Sequence, residues 1–150
     1  MEKELGREDA RHRNIKTGRG GMVDVEFIAQ YLQLLHGRDR PSLRRRNTLD
    51  TLRELRGESL LSEKDYVNLA SGYKFLRRLE NKLRLVHDQS VNELTSDPPS
   101  LAKLARHLGY EGTTGQPEKS FLEEYAAKTQ TIREIFNRIL KQTEHDQDEL

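Results

Sequence analysis

The sequence predicts an all-α protein, an antiparallel bundle of about five helices. Apolar residues recur at spacing three and four through every periodic segment, and no segment alternates apolar and polar residues over the length of a strand. Glycine, proline and capping residues punctuate the chain at the places where that periodicity stops. Short connections between the periodic segments favour antiparallel neighbours.

The elements follow in order. Phe27, Ile28, Tyr31, Leu32, Leu34 and Leu35 form a broad apolar face on a first helix that Gly37 stops. Leu49, Leu52 and Leu55 mark a second helix, with Asn47 or Thr48 as its N-cap and Gly57 beyond its end. Ser62-Glu63-Lys64-Asp65 opens what reads as the longest helix, lined by Leu69, Tyr73, Leu76, Leu83 and Val86 with Gly72, Phe75 and Leu79 on the flank. Pro98-Pro99 breaks the chain before a helix over Leu101 to Leu108, stopped by Gly109. After a loop from Gly112 to Pro117, a final helix from about Glu118 to Gln142 turns Phe121, Leu122, Tyr125, Thr129, Ile132, Ile135, Phe136, Ile139 and Leu140 inward. The first twenty-odd residues are charged and carry no periodic face. They are expected to be irregular or drawn into the first helix, with any strand confined to Met22 to Glu26.

Composition excludes several classes. The 150 residues suffice for one sizeable core. Lys plus Arg number 26 against 25 Asp plus Glu, so the net charge of +1 gives no global pull towards nucleic acid or membrane. The absence of cysteine excludes a disulfide scaffold and fits a cytoplasmic location. No apolar run approaches the length of a membrane span, and the polar N-terminus does not have the form of a signal peptide.

The chemistry concentrates in Lys16-Thr-Gly-Arg-Gly-Gly-Met-Val-Asp-Val-Glu-Phe27. Gly18, Gly20 and Gly21 permit positive φ and close backbone approach. Lys16 and Arg19 supply charge suited to phosphate or carboxylate. On a strand, Asp24 and Glu26 would share one side, two hard oxygen ligands beside a basic turn, which points to a magnesium-nucleotide site. The plain alternative makes Asp24 the N-cap of a helix starting near Val25, Glu26 a first-turn glutamate, and the turn a flexible connector. The turn matches neither the dinucleotide fingerprint nor the Walker pattern.

Other candidates are weaker. Arg38, Arg40, Arg44, Arg45 and Arg46 cluster around Pro41, either as a solvated loop or as a docking patch for acidic protein or phosphates. Glu80 interrupts an apolar stripe and requires a partner, with Arg77 and Arg84 one turn to either side. The five histidines show no metal-ligand spacing, so zinc is not expected. The sole Asp-x-Asp, Asp146-Gln-Asp148, follows no glycine turn or apolar run and reads as solvated.

Lys16, Gly18, Gly20-Gly21, Asp24-Val-Glu-Phe27 and Gln30 together resemble the segment that links catalytic core to helical domain in the bifunctional glutamine synthetase adenylyltransferase/deadenylylase family. The resemblance continues through Pro41-Ser-Leu-Arg44, Asn47-Thr-Leu49, Leu60-Leu61 and Tyr73-Lys-Phe-Leu-Arg-Arg-Leu-Glu80-Asn81 to Leu101–Gly109. It implies that residues 1–26 are the end of a nucleotidyltransferase core, that 27–143 form the helical domain and that 144–150 are a polar tail. Val23-Asp24 is similar to the AMP-attaching half of the family, where aspartate is commoner than the Arg-Glu of the removing half, and the polar tail fits a C-terminal position. Where the family has Gln-x-x-His-x-Leu-Pro, this chain reads Gln89-Ser-Val-Asn-Glu-Leu-Thr95.

For a longer parent enzyme the resemblance implies AMP transfer from ATP to a tyrosine of glutamine synthetase, supported by magnesium. Asp24 or Glu26 would complete the metal site, and Lys16, Gly18, Arg19, Gly20 and Gly21 would lie near the nucleotide or act as a hinge. Glutamine synthetase, a PII-type signal protein and glutamine as effector are the implied partners, with no nucleic acid and no membrane. The chain alone, without an upstream Asp-x-Asp strand, is expected to bind no cofactor tightly and to be inactive. Alternatives are the deadenylylating half, a related uridylyltransferase, and a non-catalytic helical interaction module.

Overall fold

In a computed structural model of the chain, the structure describes residues 13–37, 47–87, 93–94, 97–110 and 116–148. Five helices dominate the described residues: α1 (Met22–His36), α2 (Thr48–Gly57), α3 (Glu63–His87), α4 (Pro98–His107) and α5 (Pro117–Asp148). Two two-residue strands, β1 (Arg13–Asn14) and β2 (Glu93–Leu94), pair antiparallel with Arg13 opposite Leu94 and Asn14 opposite Glu93. The bundle expected from periodicity is the fold observed.

Its helices begin where the capping chemistry lies. The Asn47 side chain accepts from the Leu49 and Asp50 amides at the head of α2. Ser62 Oγ accepts from the Asp65 amide at 3.1 Å at the head of α3. Asp97 caps α4 by accepting from Ser100, so Pro98 and Pro99 occupy its first turn rather than breaking the chain ahead of it. Proline fits there because the first helical N–H groups have no intrahelical acceptor.

Helices α3 and α5 form the spine, touching each other, with α3 also packed on α1, α2 and α4 and α5 on α1 and α4. Leu69, Leu76, Leu79 and Leu83 of α3 and Phe121 and Ile132 of α5 are fully buried, as are Leu52 and Leu55 of α2 and Leu104 of α4. With 32 residues α5, not α3, is the longest helix, and it carries the helical backbone through the segment read as a polar tail as far as Asp148. Arg138 clamps the two spine helices together, its Nη1 and Nη2 donating to both Asp65 oxygens at 2.8 and 2.7 Å.

Two expectations are corrected at the N-terminus. Met22–Glu26 is helical, and the described strands lie elsewhere, at Arg13–Asn14 and Glu93–Leu94. The local alternation of Val23-Asp24-Val25-Glu26 loses to the longer period of Met22, Val25, Ile28, Ala29 and Leu32, the residues that α1 buries. The inner face of α1 is therefore turned from the one expected: Ile28 and Leu32 are inside, but Phe27, Leu34 and Leu35 are exposed.

Candidate functional site

Residues 14–21, just before α1, form a closed knot of hydrogen bonds. Asn14 Oδ1 accepts from the Lys16 and Thr17 amides, both at 2.9 Å. The Asn14 carbonyl takes the Gly18 amide and the Gly18 carbonyl takes that of Gly21, again at 2.9 Å. A helix start leaves its first amides without intrahelical acceptors. Here the turn supplies them, since Met22 N–H donates to the Ile15 carbonyl at 3.0 Å and Val23 N–H to that of Lys16 at 2.9 Å. Gly20 N–H donates to Asp24 Oδ2 at 2.7 Å, so Asp24 reaches back to hold the turn from inside the helix while Gly21 occupies the cap position.

Glycine is required where the turn meets α5. Gly20 has φ +74°, and a Cβ there would stand 2.0 Å from the Thr129 carbonyl oxygen. At Gly18 a Cβ would lie 2.3 Å from the Asn14 carbonyl oxygen. The amides that a phosphate cradle would offer are mostly used inside the turn. The connector or hinge expected at this place is thus built into the bundle.

The structure separates the residues that the sequence grouped. Asp24 and Glu26 sit two positions apart on a helix, which rotates them by about 200° from each other. Asp24 faces α5, where Arg133 Nη1 donates to its Oδ2 at 3.0 Å. Glu26 lies on the side of α3, close enough to Tyr73 for its charge to add to the burial that raises the phenol above its ordinary pKa, against a hydrogen bond with Thr48. Lys16 also turns to α3, with Nζ 3.9 Å from Glu80 Oε2. Arg84 Nη2 is 3.6 Å from Glu80 Oε1, which supplies the expected partner one turn on. Glu80 Oε2 is nevertheless buried without a hydrogen bond.

Arg19, exposed, stands apart from Lys16. With Asn14 and Gly18 it forms one wall of a cavity of about 250 Å³, and Thr129, Gln130 and Arg133 of α5 form the facing wall, with Tyr125 and Ala126 beside them. Sequence reasoning passed over Arg133. Its signal was an arginine beside the apolar positions Ile132, Ile135 and Phe136, and its guanidinium lies 4.4 Å from the Phe136 ring centre.

Magnesium takes several oxygen ligands. The two carboxylates diverge, Asp24 is held by an arginine, and no group of three His, Cys, Asp or Glu able to hold a metal occurs among the described residues. The described residues therefore do not compose a metal site on their own. The arginine cluster at residues 38–46 lies outside the described residues, and no described helix is long and apolar enough to cross a membrane.

The described residues thus form a helical bundle with a glycine knot at the head of α1, and comparison with known proteins supplies the family. The chain belongs to the family described as GlnD PII-uridylyltransferase, which it matches over residues 1–140. It is 40% identical over 123 residues to the bifunctional glutamine synthetase adenylyltransferase/adenylyl-removing enzyme of Bordetella pertussis, and equally to that of Bordetella bronchiseptica. Each alignment covers 82% of this chain but 13% of the relative. The chain thus spans a small part of the length of these relatives.

Proposed function

We propose that the chain is the helical domain of a glutamine synthetase adenylyltransferase, and that the enzyme containing such a domain moves AMP from ATP to a tyrosine of glutamine synthetase. The observation that carries this reading is the 40% identity extending over 82% of the chain. In this reading the residues before α1 border the catalytic core, and the helices α1 to α5 form the bundle. The chain would act in the AMP-attaching half, with ATP and magnesium held largely by a core outside these residues. A PII-type protein and glutamine would regulate the enzyme, in the cytoplasm.

The role of the knot is to fix the junction. Asp24 ties Gly20 to Arg133 and Lys16 approaches Glu80, so the chain entering α1 is set against both spine helices. Lys16, Arg19, Asp24 and Glu26 are the candidates for contact with the nucleotide or its metal. A second reading, uridylyl transfer to a PII protein, is favoured by the family match over residues 1–140.

The test incubates the chain, and separately the longer enzyme bearing it, with magnesium, glutamine synthetase and ATP labelled in its α-phosphate, with labelled UTP and PII protein as the parallel arm. The expected outcome is no labelling by the chain alone and labelling of glutamine synthetase by the longer enzyme. If Glu26→Gln or Asp24→Asn lowers transfer by orders of magnitude while the bundle stays folded, that residue serves the chemistry. If both variants transfer at the normal rate, the two carboxylates are structural. Labelling of PII from UTP and not of glutamine synthetase from ATP replaces the first reading by the second.

A further inference from the structure

The cavity between the glycine knot and α5 has a one-sided charge. Arg19 and Arg133 line it, and among the described residues no carboxylate does. Asp24 offsets Arg133 in part through Nη1, and Glu134, one residue along, is engaged by Gln130 Nε2 at 3.0 Å. Arg133 Nε is buried and has no hydrogen-bond partner among the described residues. A buried donor without an acceptor costs about 1–3 kcal/mol and calls for an explanation.

Two guanidinium groups lining one small polar space suit an oxyanion with two or more acceptor oxygens. The volume of about 250 Å³ is below the roughly 300–1,000 Å³ of sites for drug-sized molecules. It fits a small anion better than a whole nucleotide. Recognition must come mainly from side chains, because the amides of Gly18, Gly20 and Gly21 are committed within the knot. We propose that this cavity is a small-oxyanion site, in which Arg19 and Arg133 take up a free phosphate or a small carboxylate. A bound anion would tie the knot to α5 through a second bridge beside Asp24–Arg133.

The experiment titrates the isotope-labelled 150-residue chain with sodium phosphate, and in a separate arm with sodium succinate, followed by two-dimensional NMR. Ionic strength is held constant with sodium chloride. The expected result is saturable movement of the Arg133 Nε–H and of the Arg19 and Gln130 amides in at least one arm, and the arm that saturates identifies phosphate or carboxylate. Loss of one charge-assisted hydrogen bond weakens binding about tenfold, the effect expected of Arg19→Gln. Ala126→Glu, at an exposed position beside the cavity, sets a carboxylate where the anion would lie and is expected to abolish saturation. Both variants leave the Asp24–Arg133 pair in place, and thermal melts check that they fold. Shifts that stay linear in both arms, that chloride alone reproduces, or that survive in both variants overturn the proposal. No transfer activity is needed, so its failure would leave the nucleotidyltransferase reading untouched.

Discussion

Gly20 is the residue where a local motif depends on a distant element. Its positive φ excludes most side chains, and any Cβ would run into the backbone oxygen of Thr129, which cannot swing aside as a side-chain tip can. Gly20→Ala is therefore expected to destabilise the chain on the order of 3 kcal/mol, read as a shifted urea midpoint with unchanged slope. An alanine variant as stable as the parent would mean that knot and α5 are not in contact. The sequence made the glycines legible as a special turn but not the reason for them. Thr129 and Arg133 are more than a hundred positions away, and nothing in the spacing of Gly18, Gly20 and Gly21 names what the turn packs against. The same distance hid the fate of Asp24, which reads locally as either metal ligand or cap and in the fold answers to an arginine on α5.

At the scale of elements, α2, α3 and α5 open within a residue or two of the starts read from Asn47, Ser62 and the loop ending at Pro117, whereas α4 opens at Pro98, three residues ahead of Leu101, because Asp97 caps it. The start of α1 was misplaced because its first amides are satisfied by carbonyls of the turn rather than by a capping side chain. The clamp between α3 and α5 is another long-range feature, and it has a pH signature. Hydrogen bonds from Arg138 hold the Asp65 carboxyl below its ordinary value of 3.8, with burial opposing. A folded-state pKa below the unfolded one contributes stability that is complete above the unfolded value and is lost as pH falls through the folded value. The chain is thus expected to lose stability below about pH 4 with a steeper slope than an Asp65→Asn variant, in denaturant titrations at successive pH values. Parallel slopes would show that the clamp does not favour the folded state. Arg138 is half exposed, so solvent screening keeps the contribution modest.

For the molecule as a whole, the question is whether the segment before α1 moves with the bundle or apart from it. A connector would exchange its amide hydrogens freely, whatever the stability of the helices. The geometry gives the opposite expectation, since Gly18, Gly20, Gly21, Met22 and Val23 all donate within the knot, Ile15 is fully buried, and Gly20 abuts α5. Opening the knot would pull Ile15 out of the core, strip the first turn of α1 of its acceptors and separate Asp24 from Arg133. Those losses tie it to the same cooperative unit as α3 and α5. In native-state hydrogen exchange the Met22 and Val23 amides should therefore share the denaturant dependence of Leu76 and Ile132, buried on the spine. If they instead exchange early, with little dependence on denaturant, the knot opens locally. The junction would then be a hinge that lets neighbouring structure rotate against the bundle, rather than a mount that fixes it.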